Sequence, residues 1–145
     1  MGEHHLYLPA WATPPPPGAI EAFVAAAARA RADVDADAGC QVRRIGRDAA
    51  TALRIFELIR IGDKRGTFTL PWIVERAGLP GPAVGRLLAL LDAAGRPTLL
   101  LRITRVGSAI FGKVTAEETA VDGSPVRDPA VWVPLHTDYW NDLLA

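Results

Sequence analysis

The stretch TLPWIVERAGLPGPAVGRLLALLDAA, residues 69–94, decides the fold that the sequence predicts. Thr69 is a suitable N-cap for a short helix, and a proline is tolerated in the first helical turn that follows. Gly78 ends this helix, and a turn then leads to a second helix that begins with Pro82, where the missing N–H costs nothing. The stretch therefore predicts two helices joined by a tight turn.

The residues downstream of this stretch change period. Apolar side chains recur at helical spacing in PAVGRLLALLDAA, and Gly95 follows as a stop. TLLLRIT then alternates apolar and polar positions, RVGS is typical of a turn, and AIFGKVT returns as a second strand. Residues 98–115 are therefore expected to form a β-hairpin.

Two longer helices are predicted upstream. Residues 19–32 place Ile20, Phe23 and Val24 on one stripe, and residues 47–61 repeat apolar side chains at the same spacing. Four consecutive prolines at 14–17 predict a short polyproline II spacer before the first helix. The predicted fold class is α+β, mainly α.

Composition divides the chain into four parts. We expect a Pro-rich apolar N-terminal arm at 1–18, a helix with an acidic loop at 19–40, a main domain at 41–115 and an acidic aromatic tail at 116–145. The tail begins with turn residues, and AVWVPL within it predicts a short strand.

The order of helix, short helix, turn, third helix and hairpin over residues 47–115 resembles the winged helix-turn-helix domain. It is most similar to bacterial regulators of the IclR and MarR types, which often read G-L-x-x-x-x-V-x-R-L-L-x-x-L-x-x-x-G. The matching residues here are Gly78, Leu79, Val84, Arg86, Leu87, Leu88 and Gly95. The resemblance implies a three-helix core with a β-hairpin wing, to which this chain adds an N-terminal helix and a C-terminal strand and tail.

The resemblance implies binding of duplex DNA through the third helix and a basic wing, by a homodimer acting as a small prokaryotic, plasmid or phage regulator or replication accessory. The start of that helix departs from the family pattern. Gly81, Pro82, Ala83 and Gly85 stand where such regulators carry side chains that hydrogen-bond to bases. The alternative is a winged-helix protein–protein interaction module that binds no DNA and is a subunit of a larger complex.

Charge is unevenly distributed, although the chain is neutral overall. Residues 41–115 hold thirteen Lys and Arg against five Asp and Glu, while both flanks are acidic. A basic middle is typical of a module that faces a polyanion, but it also describes an ordinary solvated face. The candidate nucleic-acid-binding residues are Arg43, Arg44, Arg47, Lys64, Arg65, Arg86, Arg102, Arg105 and Lys113.

Aromatic side chains are dense near both ends of the chain. They either close the core or form a surface for a protein partner. Trp72, inside the short helix, is expected in the core. The candidate partner-binding residues are Trp11, Phe23, Trp132, Tyr139 and Trp140.

Several function classes are disfavoured. Cys40 is the single cysteine, which excludes an internal disulfide framework and fits the reducing cytoplasm. The alternating aspartates at 33, 35 and 37 lack the glycine and glutamate spacing of an EF-hand, so they predict an acidic surface loop. His136 and Asp138 lack a third catalytic partner. We therefore expect no enzyme activity, no metal, no cofactor and no membrane span.

Overall fold

The computed structural model describes residues 4–144. This part of the chain contains four strands and five α-helices, with two short 3₁₀ turns at Phe111–Lys113 and Ala120–Asp122. In chain order the elements are β1 His5–Tyr7, α1 Ala19–Ala30, β2 Cys40–Arg44, α2 Ala49–Arg60, α3 Pro71–Arg76, β3 Leu87–Leu91, β4 Pro97–Arg102, α4 Ala116–Thr119 and α5 Pro129–Leu144.

The four strands form one mixed sheet in the order β1-β2-β3-β4. β1 and β2 are parallel and are connected through α1, as a parallel pair requires a crossover. β2 and β3 are also parallel, while β3 and β4 are antiparallel. The register places Tyr7 beside Arg43 and Arg43 beside Leu90, so these side chains share one face of the sheet.

The chain divides into two compact units, each described by itself. The first contains the residues up to Leu53 together with Pro80–Val106, and it holds the whole sheet. Its core lies between α1 and one sheet face, where Ile20 and Val24 pack against Val42, Ala89 and Leu91. These side chains are almost completely removed from water, which is the main source of stability in a unit of this size.

The second unit contains Arg54–Leu79 and the residues from Gly107 onward. Its centre is aromatic: Trp132 of α5 is 1% exposed and contacts the rings of Phe68 and Phe111 edge-on or tilted. Trp140, two turns further along α5, is also buried and packs against the Trp132 ring. Such offset aromatic contacts add to the stability that burial provides.

The predicted third helix is wrong, because LLALL is the central strand β3. All five residues of Leu87–Leu91 are buried, and β3 has a hydrogen-bonded neighbour on each side. A short apolar run that is covered on both faces has no strand alternation to reveal it. The residues taken as the helix end are a turn, in which the Asp92 side chain accepts hydrogen bonds from the backbone N–H groups of Ala94 and Arg96 at 2.9 Å.

The predicted β-hairpin over 98–115 is also wrong. β4 pairs back with β3, whereas residues 103–110 have no regular structure. AVWVPL, predicted as a strand, lies within the helix α5 despite Pro134. Asp128 caps this helix through its side chain, which accepts the Ala130 N–H at 2.9 Å. A four-stranded sheet therefore replaces the mainly α winged helix, and that fold class is wrong.

The other three helices that apolar periodicity and capping residues predicted are confirmed. α1, α2 and α3 lie within one or two residues of their predicted positions, and the aspartates at 33–37 lie in a loop. No strand was predicted for residues 40–44, which form β2. Among residues 4–144, no helix is both long and apolar enough to span a bilayer.

Candidate functional site

One face of the sheet carries a cluster of an aromatic ring and two arginines within the first unit. We call Tyr7, Gln41, Arg43 and Arg86 the Tyr7 cluster. Tyr7 and Arg43 are register neighbours on β1 and β2, and Arg86 directly precedes β3. The cluster is therefore placed by the three adjacent strands of the sheet.

Hydrogen bonds to one loop fix the cluster. The hydroxyl of Tyr7 donates to the carbonyl of Pro80, and the guanidinium of Arg86 donates to the carbonyl of Gly81. The side-chain amide of Gln41 also donates to Gly81, at 3.4 Å. Residues 80–81, predicted to lie at the turn before the third helix, thus form a loop that orients the Tyr7 ring.

Two positive charges act on this ring. Burial raises the pKa of the Tyr7 phenol, while the nearby guanidinium groups of Arg86 and Arg43 act in the opposite direction. The phenol therefore stays neutral at physiological pH, and the cluster combines a neutral aromatic ring with two cations. This combination suits a ligand with a flat base and a phosphate.

The remaining basic candidates of the first unit lie in different surroundings. Arg44 is buried, donates to the Ile45 carbonyl at 2.5 Å and places its guanidinium 5.8 Å from the Trp11 ring centre. Arg102 is exposed and donates to the backbone carbonyl of Asp33 at 2.5 Å. Arg47 and Arg105 are also exposed, the latter in the segment without regular structure.

Lys64 of the second unit is buried and has internal partners. Its ammonium forms an ion pair with Asp122 and donates to the Gly66 carbonyl at 2.9 Å. Arg65 and Lys113, the other basic candidates in this unit, are exposed. The structure thus brings together Arg43 and Arg86 of the nine candidates in one cluster and separates Lys64 from solvent.

Asp122 is the centre of a buried polar network. Its Oδ2 accepts the indole N–H of Trp132 at 2.9 Å and lies 3.3 Å from Nε2 of His136. Burial on its own would raise the pKa of Asp122, but the His136 hydrogen bond and the Lys64 charge outweigh it and lower the pKa to about 2. The carboxylate is therefore ionised throughout the physiological range.

The candidate partner residues are distributed between core and surface. Trp132 and Trp140 are buried in the second unit, and Tyr139 and Phe23 are half-buried. Trp11 is exposed. The expectation that Trp72 lies in the core is wrong, because its side chain is 69% exposed on α3.

Sequence reasoning missed several residues that the structure makes prominent. Tyr7 lies in the predicted N-terminal arm but was not a candidate site residue, and neither were Gln41 and Asp122. The alternation of His5, Leu6 and Tyr7 gave too short a strand signal to place the Tyr7 ring on the same face as Arg43. Within residues 4–144, no group of three His, Cys, Asp or Glu side chains could hold a metal ion.

Comparison with known proteins identifies the family. The sequence profile of the ASCH domain matches residues 42–145, so the chain belongs to the ASCH domain family. A crystal structure of an ASCH domain from Lactobacillus crispatus superimposes with a TM-score of 0.66 at 21% sequence identity, over 84% of this chain and 76% of that one. A search of curated proteins found no match.

Membership of this family overturns the winged-helix interpretation. The ASCH match covers the whole of the segment that resembles a winged helix, and the crystallised ASCH domain shares the fold of this chain. The IclR/MarR resemblance, the DNA-binding regulator and the winged-helix interaction module are therefore all wrong. In this chain Gly78 and Gly95 lie at turns with positive φ, and the apolar run between them is the buried strand β3, so the spacing does not require a helix.

Proposed function

We propose that this protein binds RNA through the Tyr7 cluster. ASCH domains have a PUA-like fold, which is an RNA-binding fold. The observation that carries the proposal is the pairing of one oriented aromatic ring with the charges of Arg43 and Arg86 on a single sheet face. Single-stranded RNA is recognised by stacking of unpaired bases on aromatic rings and by arginine contacts to phosphates.

The chemistry of each group follows from its position. The Tyr7 ring is held by the hydrogen bond from its hydroxyl to the Pro80 carbonyl. Tyr7 therefore loses little further side-chain freedom when a base stacks on its ring. Arg86 uses one of its five donor hydrogens in the hydrogen bond to the Gly81 carbonyl, which keeps its positive charge close to the Tyr7 ring. A single ring can stack only on a base that has left its duplex, so we expect single strands to bind more tightly than duplex DNA or duplex RNA.

The test is fluorescence anisotropy of a labelled single-stranded RNA titrated with the purified chain at several salt concentrations. Two arginine–phosphate contacts on a single strand correspond to a slope of log K against log salt of about −1.4. The Arg43→Ala, Arg86→Ala double variant is expected to lose about tenfold or more in affinity and to flatten this slope.

The matched control removes charge elsewhere. Arg60→Ala changes an exposed arginine at the end of α2 and is expected to leave affinity within about twofold, as surface charges outside an interface do. Equal losses in the double variant and the control, or no binding of RNA by the wild type at low salt, would overturn the proposal. Duplex DNA in the same assay measures the preference for single strands.

The cytoplasmic location, the homodimer and the absence of enzyme activity that the sequence led us to expect stay predictions. We propose a cytoplasmic location, because Cys40 is a buried free thiol that needs no oxidising compartment. The expected homodimer is checked by light scattering of the purified chain. The expected absence of enzyme activity is checked by recovery of intact RNA after incubation with the protein.

A further inference from the structure

A second ring lies on the same face of β1 as the Tyr7 ring. His5 is two positions before Tyr7, and alternate residues of a strand point to the same face of the sheet. Each residue of a parallel strand advances about 3.3 Å, so the two side chains leave the backbone about 6.6 Å apart. Both side chains are half-buried, which leaves part of each at the surface. We call the gap between them the β1 slot.

The floor of the β1 slot is formed by backbone. Leu6, which lies between the two rings in sequence, points to the opposite face of the sheet. The register places Gln41 and Arg43 of β2 beside the two rings. Val42 lies between these two residues and is buried in the core on the opposite face. The side chains of β1 and β2 thus border the slot and leave its floor to the backbone.

The β1 slot is covered on one side and open on the other. Gln41 is buried on the β2 side, and its side-chain amide donates to the Gly81 carbonyl at 3.4 Å. The hydrogen bond from the Tyr7 hydroxyl to the Pro80 carbonyl holds one wall in place. β1 stands at the end of the sheet order, so the slot opens at the outer edge of this strand.

The width of the β1 slot matches one flat ring between two others. Stacked bases are about 3.4 Å apart, so a base with a ring on each face needs a gap of about 6.8 Å. The spacing of about 6.6 Å between alternate strand residues meets this need. Two stacked bases would need a gap of about 10 Å and do not fit between the rings.

The charges beside the β1 slot favour a base that carries phosphate. Arg43 is the register partner of Tyr7, and the charge of Arg86 also acts on the Tyr7 phenol. An aromatic side chain of a protein partner has the same thickness as a base, but it brings no negative charge to the two guanidinium groups. A nucleotide brings both a flat base and a phosphate that arginine binds well.

We propose that one base of a bound single-stranded RNA inserts between His5 and Tyr7, while its backbone phosphates contact Arg43 and Arg86. This inference rests on the proposed RNA-binding function and names the base-binding part of that site. The base loses its stacking on neighbouring bases and gains a protein ring on each face. Stacking of this kind is tolerant of sequence, because every base has a flat face.

The test uses two fluorescently labelled oligomers of the same length in anisotropy titrations with the full chain. One is a single-stranded oligouridylate, and the other has an abasic tetrahydrofuran spacer at every position, which keeps the phosphates and removes the bases. We expect His5→Ala to weaken oligouridylate binding about fivefold or more, as the loss of a stacking ring does. It should leave binding of the abasic oligomer within about twofold of the wild type, because both arginines are intact.

Three variants separate the ring from the fold and from the charges. His5→Phe keeps an aromatic ring and should bind both oligomers within about twofold of the wild type. Leu6→Ala, the matched control, changes the neighbouring side chain on the opposite face and should also keep both affinities. The Arg43→Ala, Arg86→Ala protein should bind both oligomers more weakly. Circular dichroism checks that each variant is folded.

The outcomes distinguish a failure of the β1 slot from a failure of the proposed function. Unchanged oligouridylate binding by His5→Ala overturns the slot, while a loss in the Arg43→Ala, Arg86→Ala protein still supports RNA binding. The slot is also overturned if His5→Ala weakens both oligomers equally, if His5→Phe does not restore binding, or if the wild type binds the two oligomers equally. If the wild type binds neither oligomer at low salt, the proposed function fails and this inference fails with it.

Discussion

At the scale of single residues, Asp122 shows how a buried charge is kept ionised in the second unit. The ammonium of Lys64 neutralises it, and Trp132 and His136 supply two further contacts to its second oxygen. Burying a carboxylate without such partners would be strongly unfavourable. The network joins the loop that follows α2 to α5 through side chains that are far apart in sequence.

Asp122 makes the stability of the protein depend on pH. Its pKa is about 2 when folded and about 3.9 when unfolded, so its contribution is complete above about pH 4 and is lost as the pH falls toward 2. The shift corresponds to about 2 to 3 kcal/mol. We expect Asp122→Asn to lower the free energy of unfolding at pH 7 by that amount or more, because Lys64 then lacks its counter-charge.

Urea denaturation at pH 7 and pH 3 checks this prediction, with Asp138→Asn as the control on the exposed side of α5. The Asp122 variant should lose less stability than the wild type between the two pH values. An Asp122→Asn protein as stable as the Asp138→Asn protein at pH 7 contradicts the network.

Gly95 is required by both its backbone angle and its neighbours. Its φ is +82°, and a Cβ at this position would lie 2.6 Å from the carbonyl oxygen of Pro14. Gly85 has a similar φ of +88° but open space around it. We expect Gly85→Ala to cost about 1 kcal/mol and Gly95→Ala clearly more, since the latter adds a clash with backbone to the same strain. Equal losses in urea denaturation would refute this difference.

The arginines of the candidate site were predictable from the sequence, but the aromatic ring of Tyr7 was not. The surplus of arginine in residues 41–115 pointed to Arg43 and Arg86, which the structure brings to one cluster. The same reasoning included Lys64, whose partner Asp122 lies 58 positions away in sequence. No local pattern reports such a pairing, and none reports that Tyr7 is placed beside Arg43.

At the scale of elements, amphipathic helices were predictable and buried strands were not. α1 and α2 each present one apolar stripe, which a period of 3.6 residues reveals. β3 is buried on both faces, so its five apolar residues carry no period at all. The turn signal of Asp92 and Gly95 that follows β3 was present in the sequence but is also compatible with the end of a helix.

The register of β3 with β4 gives a direct test of the strand. Leu88 and Leu101 are register partners, whereas Leu99 pairs with Leu90, two residues away from Leu88. A Leu88→Cys, Leu101→Cys protein is expected to form a disulfide on mild oxidation, because partner Cα atoms of neighbouring strands lie within disulfide range. A thiol assay that counts free cysteines before and after oxidation measures it.

Leu88→Cys, Leu99→Cys is the offset control and is expected to stay reduced. Cys40 is buried and does not compete for either new cysteine. Equal oxidation of both pairs, or oxidation of neither pair, would contradict the register of β3 with β4.

At the scale of the whole molecule, the two compact units are not continuous in sequence. The chain leaves the first unit after Leu53 and contributes Arg54–Leu79 to the second unit. It then returns to the first unit, where it forms β3 and β4. The sequence analysis assigned residues 41–115 to one domain, because the composition changes at both ends of this range. Local sequence patterns do not show which distant segments pair. The sheet itself depends on such pairings, since β2 and β3 are more than forty residues apart.

The segment that leads from β4 to the second unit is expected to be the first site of proteolysis. Residues 104–110 are exposed and have no regular structure, and Arg105 lies among them. Brief trypsin digestion should therefore cut after Arg105 before it cuts after the buried Arg44 in β2. Mass spectrometry of early fragments measures the order, and a first cut inside the sheet would contradict the structure.

The measurement that tests the RNA proposal most directly is photocrosslinking with a single-stranded RNA that contains 4-thiouridine, followed by mass spectrometry of the attached peptide. We expect crosslinks at Tyr7 and at residues next to Arg43 or Arg86, and their loss in the Arg43→Ala, Arg86→Ala protein. Crosslinks confined to the second unit, for instance at the exposed Trp72, would contradict it.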